Sequence, residues 1–197
     1  IEMAKASGLY LIPPNQRNPL HTTSYGVGQL IAHAYQSQHR RIIIGVGGAG
    51  SHDGGAGIAQ ALGVEFLDET GRKIHDGYMS NSKLEQLHRG AWELEGLARK
   101  IVEDKSIMIE IASDVDNPLL GPQGASQIFG RQKGATDKQI PILERNLTIL
   151  ADVSEWLLKD TPEKRNVYFD KLKAHGIDSA DKNFRYIAGT GAAGGLS

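Results

Sequence analysis

The chain has 197 residues with no cysteine, and its 22 basic and 23 acidic side chains give a formal net charge of -1. A chain of this length can bury a hydrophobic core, so we expect it to fold without disulfides or structural metal ions. The lack of cysteine excludes thiolate chemistry and favours a cytoplasmic protein. Balanced charge and short apolar runs argue against nucleic acid and membranes as partners, which leaves small molecules.

The first half of the chain alternates between helical and strand-like patterns. Apolar spacing predicts a helix over residues 24–38, with Thr22, Thr23 or Ser24 available as its N-cap. A β-branched run closed by glycine predicts a buried strand over 40–47. A short helix over 58–62 and a second strand over 64–67 follow.

The second half continues this alternation. We expect a helix over 92–102, a strand over 106–112 and a long loop over 113–135. Thr136 opens a capping box and predicts the start of a buried helix, and a charged helix is predicted over 162–174. Strands separated by helices favour an α/β fold with a mixed sheet flanked by helices.

Seven glycines stand in the segment GVGGAGSHDGGAG, residues 45–57, directly behind the first predicted strand. Its first six residues match the G-x-G-x-x-G pattern of dinucleotide-binding proteins, and Glu65 lies at the spacing of the acid that binds the ribose. The later glycines oppose this interpretation, because each costs about 1 kcal/mol relative to alanine where the crossover helix should form. A P-loop does not fit either, since no GK[ST] follows.

These residues favour a different kind of anion site. A broad glycine turn offers several unblocked N–H groups, and Ser51 or Asp53 can cap the helix that follows. His52 either contacts a ligand there or fills a turn position. The alternative is that the glycines serve tight turns and close packing without any ligand. Residues 189–195 hold a second glycine cluster, and we expect close backbone approach at both clusters.

Polar side chains follow the predicted strand over 106–112. Asp114, Asp116 and Asn117 come just beyond its carboxyl end, which is where open α/β sheets bind ligands. Two carboxylates at this spacing can hold Mg²⁺ or act on a substrate hydroxyl. The alternative is an Asp/Asn-rich turn ahead of Pro118 without a ligand.

A basic loop precedes the helix predicted from Thr136. The segment FGRQKGA, residues 129–135, contains Arg131 and Lys133. A cation beside a helix N-terminus can bind an anion, although such loops are also commonly just solvated. The seven histidines have no spacing typical of a zinc site.

The motifs, taken in order, resemble the bacterial class II glycerate kinases of the glycerate 2-kinase type. They are IEMAKASGL, NPLHTTSYGVGQLI, GVGGAGSHDGGAG, FLDETG, DVDNPLLGPQGASQIFGRQKGA and GTGAAGGLS, and they cover nearly the whole chain. The resemblance implies a protein of about twice this length, with a flavodoxin-like domain and a second, inserted α/β domain. Residues 1–197 correspond to the inserted domain as a single unit. The family transfers the γ-phosphoryl group of ATP, with Mg²⁺, to a hydroxyl of D-glycerate, and a homodimer is a further expectation.

Site residues follow from this resemblance together with the segments above. We expect two catalytic carboxylates, Asp114 and Asp53, and a metal ligand at Asp116. Substrate or phosphate contacts are expected from Gly47, Gly48, Ser51, His52, Asn117 and Lys133. The family commonly has GGSATNDGGAG where this chain has GGAGSHDGGAG, so Ala49, Gly50 and His52 are departures at this turn. The alternatives are a non-catalytic binding module and a dinucleotide-binding oxidoreductase domain.

Overall fold

The computed structural model describes residues 1–74, 77–88, 92–94, 96–160, 185 and 189–195. Its helices are α1 (Ala4–Ser7), α2 (Tyr25–Gln36), α3 (Ala56–Ala61), α4 (Gly96–Glu103), α5 (Ala125–Phe129) and α6 (Ile140–Asp160). Its strands are β1 (Arg41–Gly45), β2 (Val64–Phe66), β3 (Trp92–Leu94) and β4 (Met108–Ala112). None of the described helices is long and apolar enough to cross a membrane.

The strands form one parallel and one antiparallel pair. β1 and β4 run parallel, with Gly45 opposite Ala112, and β2 and β3 run antiparallel, with Val64 opposite Leu94. The predicted α/β fold with mixed strands and flanking helices is therefore confirmed. The apolar run of β1 explains its position, because alternate side chains, including that of Ile44, are buried against the core.

The helix predicted over 92–102 is wrong in its first part. Residues 92–94 form β3, and the helix α4 begins only at Gly96, which has a φ of +56°. The sequence Trp-Glu-Leu alternates in polarity as a strand does, whereas helical spacing begins after Gly96, where Ala98 and Ile101 are buried. The glycine therefore separates two elements that apolar content alone merges into one.

The helix predicted from Thr136 has its regular part at Ile140–Asp160. The amide and the hydroxyl of Thr136 both donate to Oε1 of Gln139, at 2.8 and 2.9 Å, so the chain is capped where the sequence predicted it. The loop predicted over 113–135 contains α5 and a 3-10 turn, Arg131–Lys133, which the weak periodicity did not reveal. The helix predicted over 162–174 lies outside the described residues.

The core consists of two main apolar clusters. One cluster joins α6 to β2 and includes Leu84 and Leu147, both fully buried. The other joins α2 to β1 and includes Val27 and Ile44. The glycine segment 45–57 runs between these two clusters and packs against both of them.

Candidate functional site

The predicted ligand-binding segments meet at one edge of the parallel pair. Gly45 is opposite Ala112 at the carboxyl ends of β1 and β4, and the amide of Val46 donates to the carbonyl of Ala112 at 3.3 Å. The glycine turn and the segment that begins with Ser113 therefore leave the sheet side by side. Carboxyl ends of parallel strands are where open α/β sheets bind ligands.

The exposed part of the glycine turn is Gly47 and Gly48. A Cβ atom placed on Gly47 would meet no heavy atom of the described residues within 4 Å, and Gly48 has a φ of +69°. In the described part of the chain, the amides of these two residues donate no hydrogen bond. They are thus accessible N–H donors of the kind that bind anions.

The other glycine amides of the turn are already used by the protein. The amide of Gly50 donates to the carbonyl of Ser7 at 2.7 Å, and that of Gly54 donates to the carbonyl of Gly194 at 3.0 Å. The amides of Gly55 and Gly57 donate to the Asp53 carboxylate. Among the glycine amides of the turn in the described residues, those of Gly47 and Gly48 at its exposed tip are therefore the ones left without an acceptor.

Asp53 is enclosed by donors. Its Oδ2 accepts hydrogen bonds from the amide and hydroxyl of Ser24, at 2.8 and 2.9 Å, and from the amide of Gly57 at 3.1 Å. Only 1% of the residue is exposed. Burial raises the pKa of Asp53, and these hydrogen bonds oppose that rise. Neither predicted residue occupies the N-cap position of α3, which is Gly55, but the Asp53 carboxylate accepts from the Gly57 amide in the first turn of α3 and ties the start of α2 to the turn.

Ser51 and His52 face inward and are almost completely buried. The Nε2 atom of His52 lies 3.0 Å from the hydroxyl of Ser126, while Nδ1 of His52 and Oγ of Ser51 have no hydrogen-bond partner in the described residues. Burial, together with the positive charge of Lys133, holds the pKa of His52 well below its usual value. The imidazole is therefore neutral at pH 7 and supplies no positive charge for phosphate.

Lys133 is an internal cation, with only 2% of the residue exposed. Its Nζ donates to the carbonyl of Ser51 at 2.6 Å. Burial lowers the pKa of Lys133 to about 7, against the opposite effect of the negative charge on Asp53. The phosphate contact expected from this residue finds no support in this geometry, because the ammonium group is enclosed and bound to the backbone of the turn.

Asp114 and Asp116 are exposed beyond β4, whereas Asn117 is half-buried. The side-chain amide of Asn117 donates to the carbonyl of Gln123 at 2.9 Å, so this group shapes the loop. Within the described residues, no group of three or more His, Asp or Glu side chains is placed to hold a metal ion. A metal ion near Asp116 would take further oxygen ligands from elsewhere.

Both glycine clusters lie close to other backbone segments, as predicted, and they also lie close to each other. A Cβ atom on Gly194 would lie 2.8 Å from the Cα of His52, and one on Gly191 would lie 2.1 Å from the carbonyl oxygen of Pro118. The amide of Gly191 also donates to the carbonyl of Asn117 at 2.8 Å. The second glycine cluster therefore packs against both segments of the predicted site.

Sequence reasoning missed two side chains that contact the turn. The hydroxyl of Thr22 donates to the carbonyl of Gly50 at 3.0 Å, and the side-chain amide of Asn81 donates to the carbonyl of His52 at 3.0 Å. Thr22 stood out only as one of several possible helix caps, and Asn81 lies in a segment of mixed patterns. No local signal links residues separated by 28 or 29 positions.

An apolar cavity of about 390 Å³ lies beside the turn, lined mainly by α3, α4, β4 and α6. Gly54 and Gly55 contribute to its wall, but its lining includes none of the predicted site residues.

The dinucleotide interpretation fails on topology. The helix after the glycine turn, α3, has six residues, and the next strand pairs antiparallel with β3, whereas the partner of β1 is β4. A dinucleotide-binding unit requires the two strands around its helix to lie parallel in one sheet. Glu65 also forms an ion pair with Lys73.

Sequence comparison identifies the family of this chain. The sequence profile of the glycerate kinase family matches residues 1–197. The chain belongs to the glycerate kinase family. A glycerate kinase from Bacillus subtilis (strain 168) and a glycerate 2-kinase from Escherichia coli (strain K12) are each 41% identical to it over 196 residues. The resemblance drawn from the motifs is therefore confirmed.

A solved structure supports the same assignment. The chain matches the crystal structure of a protein assigned as glycerate kinase 2 from Salmonella typhimurium LT2, with a TM-score of 0.78 and 39% identity. The match covers 99% of this chain and 45% of that protein, and the two sequence relatives are covered to 44% of their length. The chain thus spans less than half of these family members. The expectation that residues 1–197 form one inserted domain stays a prediction.

Proposed function

We propose that this chain forms part of a glycerate kinase, which transfers the γ-phosphoryl group of ATP to a hydroxyl group of D-glycerate. Membership of the glycerate kinase family supports the activity. The observation that supports the location of the active site is the shared edge of β1 and β4. The exposed Gly47 and Gly48 lie there beside the segment that contains Asp114. Phosphoryl transfer needs mainly positioning and compensation of charge, and this edge offers donors and carboxylates together.

The tip of the glycine turn serves as the anion contact in this proposal. The amides of Gly47 and Gly48 have no acceptor among the described residues, and the space beside Gly47 is open. Backbone N–H groups in such a turn can bind phosphate oxygens or a substrate carboxylate without a charged side chain. This point is important because Lys133, the cation expected nearby, is buried, and the buried His52 is neutral.

Asp114 is the proposed group for the substrate hydroxyl. It is exposed at the carboxyl end of β4, where its carboxylate can accept a hydrogen bond from the attacking hydroxyl and orient it. Asn117 has its side-chain amide bound to the carbonyl of Gln123 and fixes the loop that carries Asp114. Asp53 is excluded from this task in the proposal, because its carboxylate is enclosed by protein donors.

The residues present fit Mg²⁺ only as an ion that protein carboxylates and substrate phosphates hold together. Mg²⁺ prefers oxygen ligands and is commonly held by one or two carboxylates together with substrate phosphates, not by a protein cage. Asp114 and Asp116 are two exposed carboxylates of this kind, and the described residues offer no larger acidic group. When bound, Mg²⁺ would neutralise the charge on the phosphate oxygens.

The test is a kinase assay on the full-length protein with ATP, Mg²⁺ and D-glycerate. We expect ADP to form only when D-glycerate is present, with L-glycerate as the control substrate. Phosphorus NMR of the product identifies whether the 2-hydroxyl or the 3-hydroxyl is phosphorylated. Protein that is folded but forms no phosphoglycerate would contradict the proposal.

A further inference from the structure

Three consecutive carbonyl groups of the glycine turn are held by side chains from three distant segments. The carbonyls of Gly50, Ser51 and His52 each accept one hydrogen bond. Their donors are, in order, the hydroxyl of Thr22 at 3.0 Å, the ammonium of Lys133 at 2.6 Å and the side-chain amide of Asn81 at 3.0 Å. Each carbonyl of this stretch therefore points into the protein.

The donors are themselves well fixed. Lys133 and Asn81 are 2% and 0% exposed. The side-chain amide of Asn146 in α6 donates to the carbonyl and to Oδ1 of Asn81, at 3.0 and 3.2 Å, so Asn81 has a defined orientation. The side-chain amide of Asn81 also donates to the carbonyl of Leu143 at 3.3 Å, which ties the turn to α6, whereas the ammonium of Lys133 has the Ser51 carbonyl as its acceptor in the described residues.

The backbone of the turn is also held at its outer limb. The amide of Leu9 donates to the carbonyl of Gly48 at 2.9 Å, and the amide of Gly50 donates to the carbonyl of Ser7 at 2.7 Å. Because the peptide group is planar and trans, a carbonyl that is fixed in direction also fixes the N–H group of the next residue. The held carbonyls therefore fix the N–H groups of the residues that follow them, and the bond to the Gly48 carbonyl anchors the chain next to the free amides of Gly47 and Gly48.

We propose that Thr22, Asn81 and Lys133 are positioning residues, which fix residues 50–52 of the glycine turn through their carbonyl groups and so restrict the positions that the exposed tip with Gly47 and Gly48 can take. This inference rests on the proposed function, in which those amides contact the substrate anion. It replaces the expected phosphate contact of Lys133 with an action through the Ser51 carbonyl. It also assigns a task to two segments, NPLHTTSYG and FGRQKGA, that the kinase proposal leaves unused.

The experiment compares Thr22→Val and Lys133→Met with two controls in the full-length protein. Thr22→Ser keeps the hydroxyl donor. Thr148→Val removes a similar hydrogen bond, from the Thr148 hydroxyl to the carbonyl of Glu144 at 2.8 Å, at a site inside α6. Hydrogen exchange of residues 45–57 is measured by mass spectrometry, and kcat and KM for D-glycerate and ATP are measured well below the unfolding temperature.

We expect exchange of the turn to become about tenfold faster in Thr22→Val and in Lys133→Met, because each loses one hydrogen bond to a carbonyl of the turn. We expect kcat/KM to fall by about tenfold in Lys133→Met, since small displacements of a binding group reduce the rate strongly. Thr22→Ser and Thr148→Val should retain wild-type exchange in this segment.

Wild-type exchange rates of the turn in both Thr22→Val and Lys133→Met would overturn the inference, even in an active kinase. Faster exchange in a protein that does not phosphorylate D-glycerate would support the anchoring and contradict the proposed function instead. If Lys133→Met does not fold, Thr22→Val decides alone. A loss of activity that Thr22→Ser does not restore would also count against the inference.

Discussion

The two halves of the glycine turn have opposite environments. Gly47 and Gly48 are exposed and their amides have no acceptor in the described residues, whereas Ser51, His52 and Asp53 are buried and enclosed by the protein. Both halves come from one uninterrupted segment whose glycines favour anion binding along its whole length by sequence alone. A ligand-facing turn needs an inner half that is bound to the protein, because free glycines alone would not hold a direction.

The largest expected effect concerns the inner half. Replacing Asp53 with Asn removes the negative charge and one of the two acceptor oxygens, so an NH2 group faces either the Gly55 amide or the three donors that now bind Oδ2. We expect the free energy of unfolding to fall by about 3 kcal/mol, measured by urea denaturation. Asp68→Asn is the matched control, since Asp68 also accepts from nearby N–H and O–H groups but in an exposed turn. Equal stability of Asp53→Asn and wild type would remove the anchoring role.

At the carboxyl end of β4, a substitution should change activity and leave stability unchanged. We expect Asp114→Asn to lower kcat by about 100-fold, because a carboxylate that acts on the attacking hydroxyl typically contributes that much or more. Its thermal unfolding should be unchanged, since Asp114 is exposed. Asp137→Asn provides the control for removing a surface carboxylate from a loop. Near-normal turnover in Asp114→Asn would remove Asp114 from the mechanism.

Close approach of the second glycine cluster gives a smaller effect. Gly194 and Gly71 both have positive φ, of +80° and +74°, so alanine strains the backbone similarly at both positions. Only at Gly194 would the new Cβ lie 2.8 Å from His52. We expect Gly194→Ala to destabilise the protein by about 2 kcal/mol more than Gly71→Ala, as measured by thermal unfolding. Equal losses of stability in the two variants would mean that the close contact with His52 does not destabilise Gly194→Ala.

The pH dependence of stability gives the smallest effect. In the folded protein Lys133 has a pKa of about 7, below the usual 10.5, because of burial. Between these values the unfolded chain binds more protons, so stability should rise with pH above 7, by at most about 1.4 kcal/mol per pH unit. This rise should be missing from Lys133→Met. Asp53 has the opposite effect, since its raised pKa makes stability fall as pH rises above its ordinary value of 3.8. A wild-type slope that Lys133→Met retains would assign the effect to another group.

The sequence predicted the strands that position the site better than the buried contacts within it. The β-branched run before Gly45 and the apolar run before Ser113 identified β1 and β4, and the position of Asp114 beyond a strand end followed directly. The burial of Lys133 was not predictable, because a basic loop is usually solvated and only the packing of distant segments encloses this one. The same reason hides Thr22 and Asn81, whose partners lie far away along the chain.

The division of the turn into two halves can be tested by NMR of the ¹⁵N-labelled full-length protein. Amide resonances of Gly47, Gly48 and Ser51 to Asp53 are followed while D-glycerate, and then ATP with Mg²⁺, are added. We expect the resonances of Gly47 and Gly48 to shift with saturation, while those of the anchored half change little. Ligand-induced shifts confined to Ser51 to Asp53, with Gly47 and Gly48 unaffected, would contradict the account.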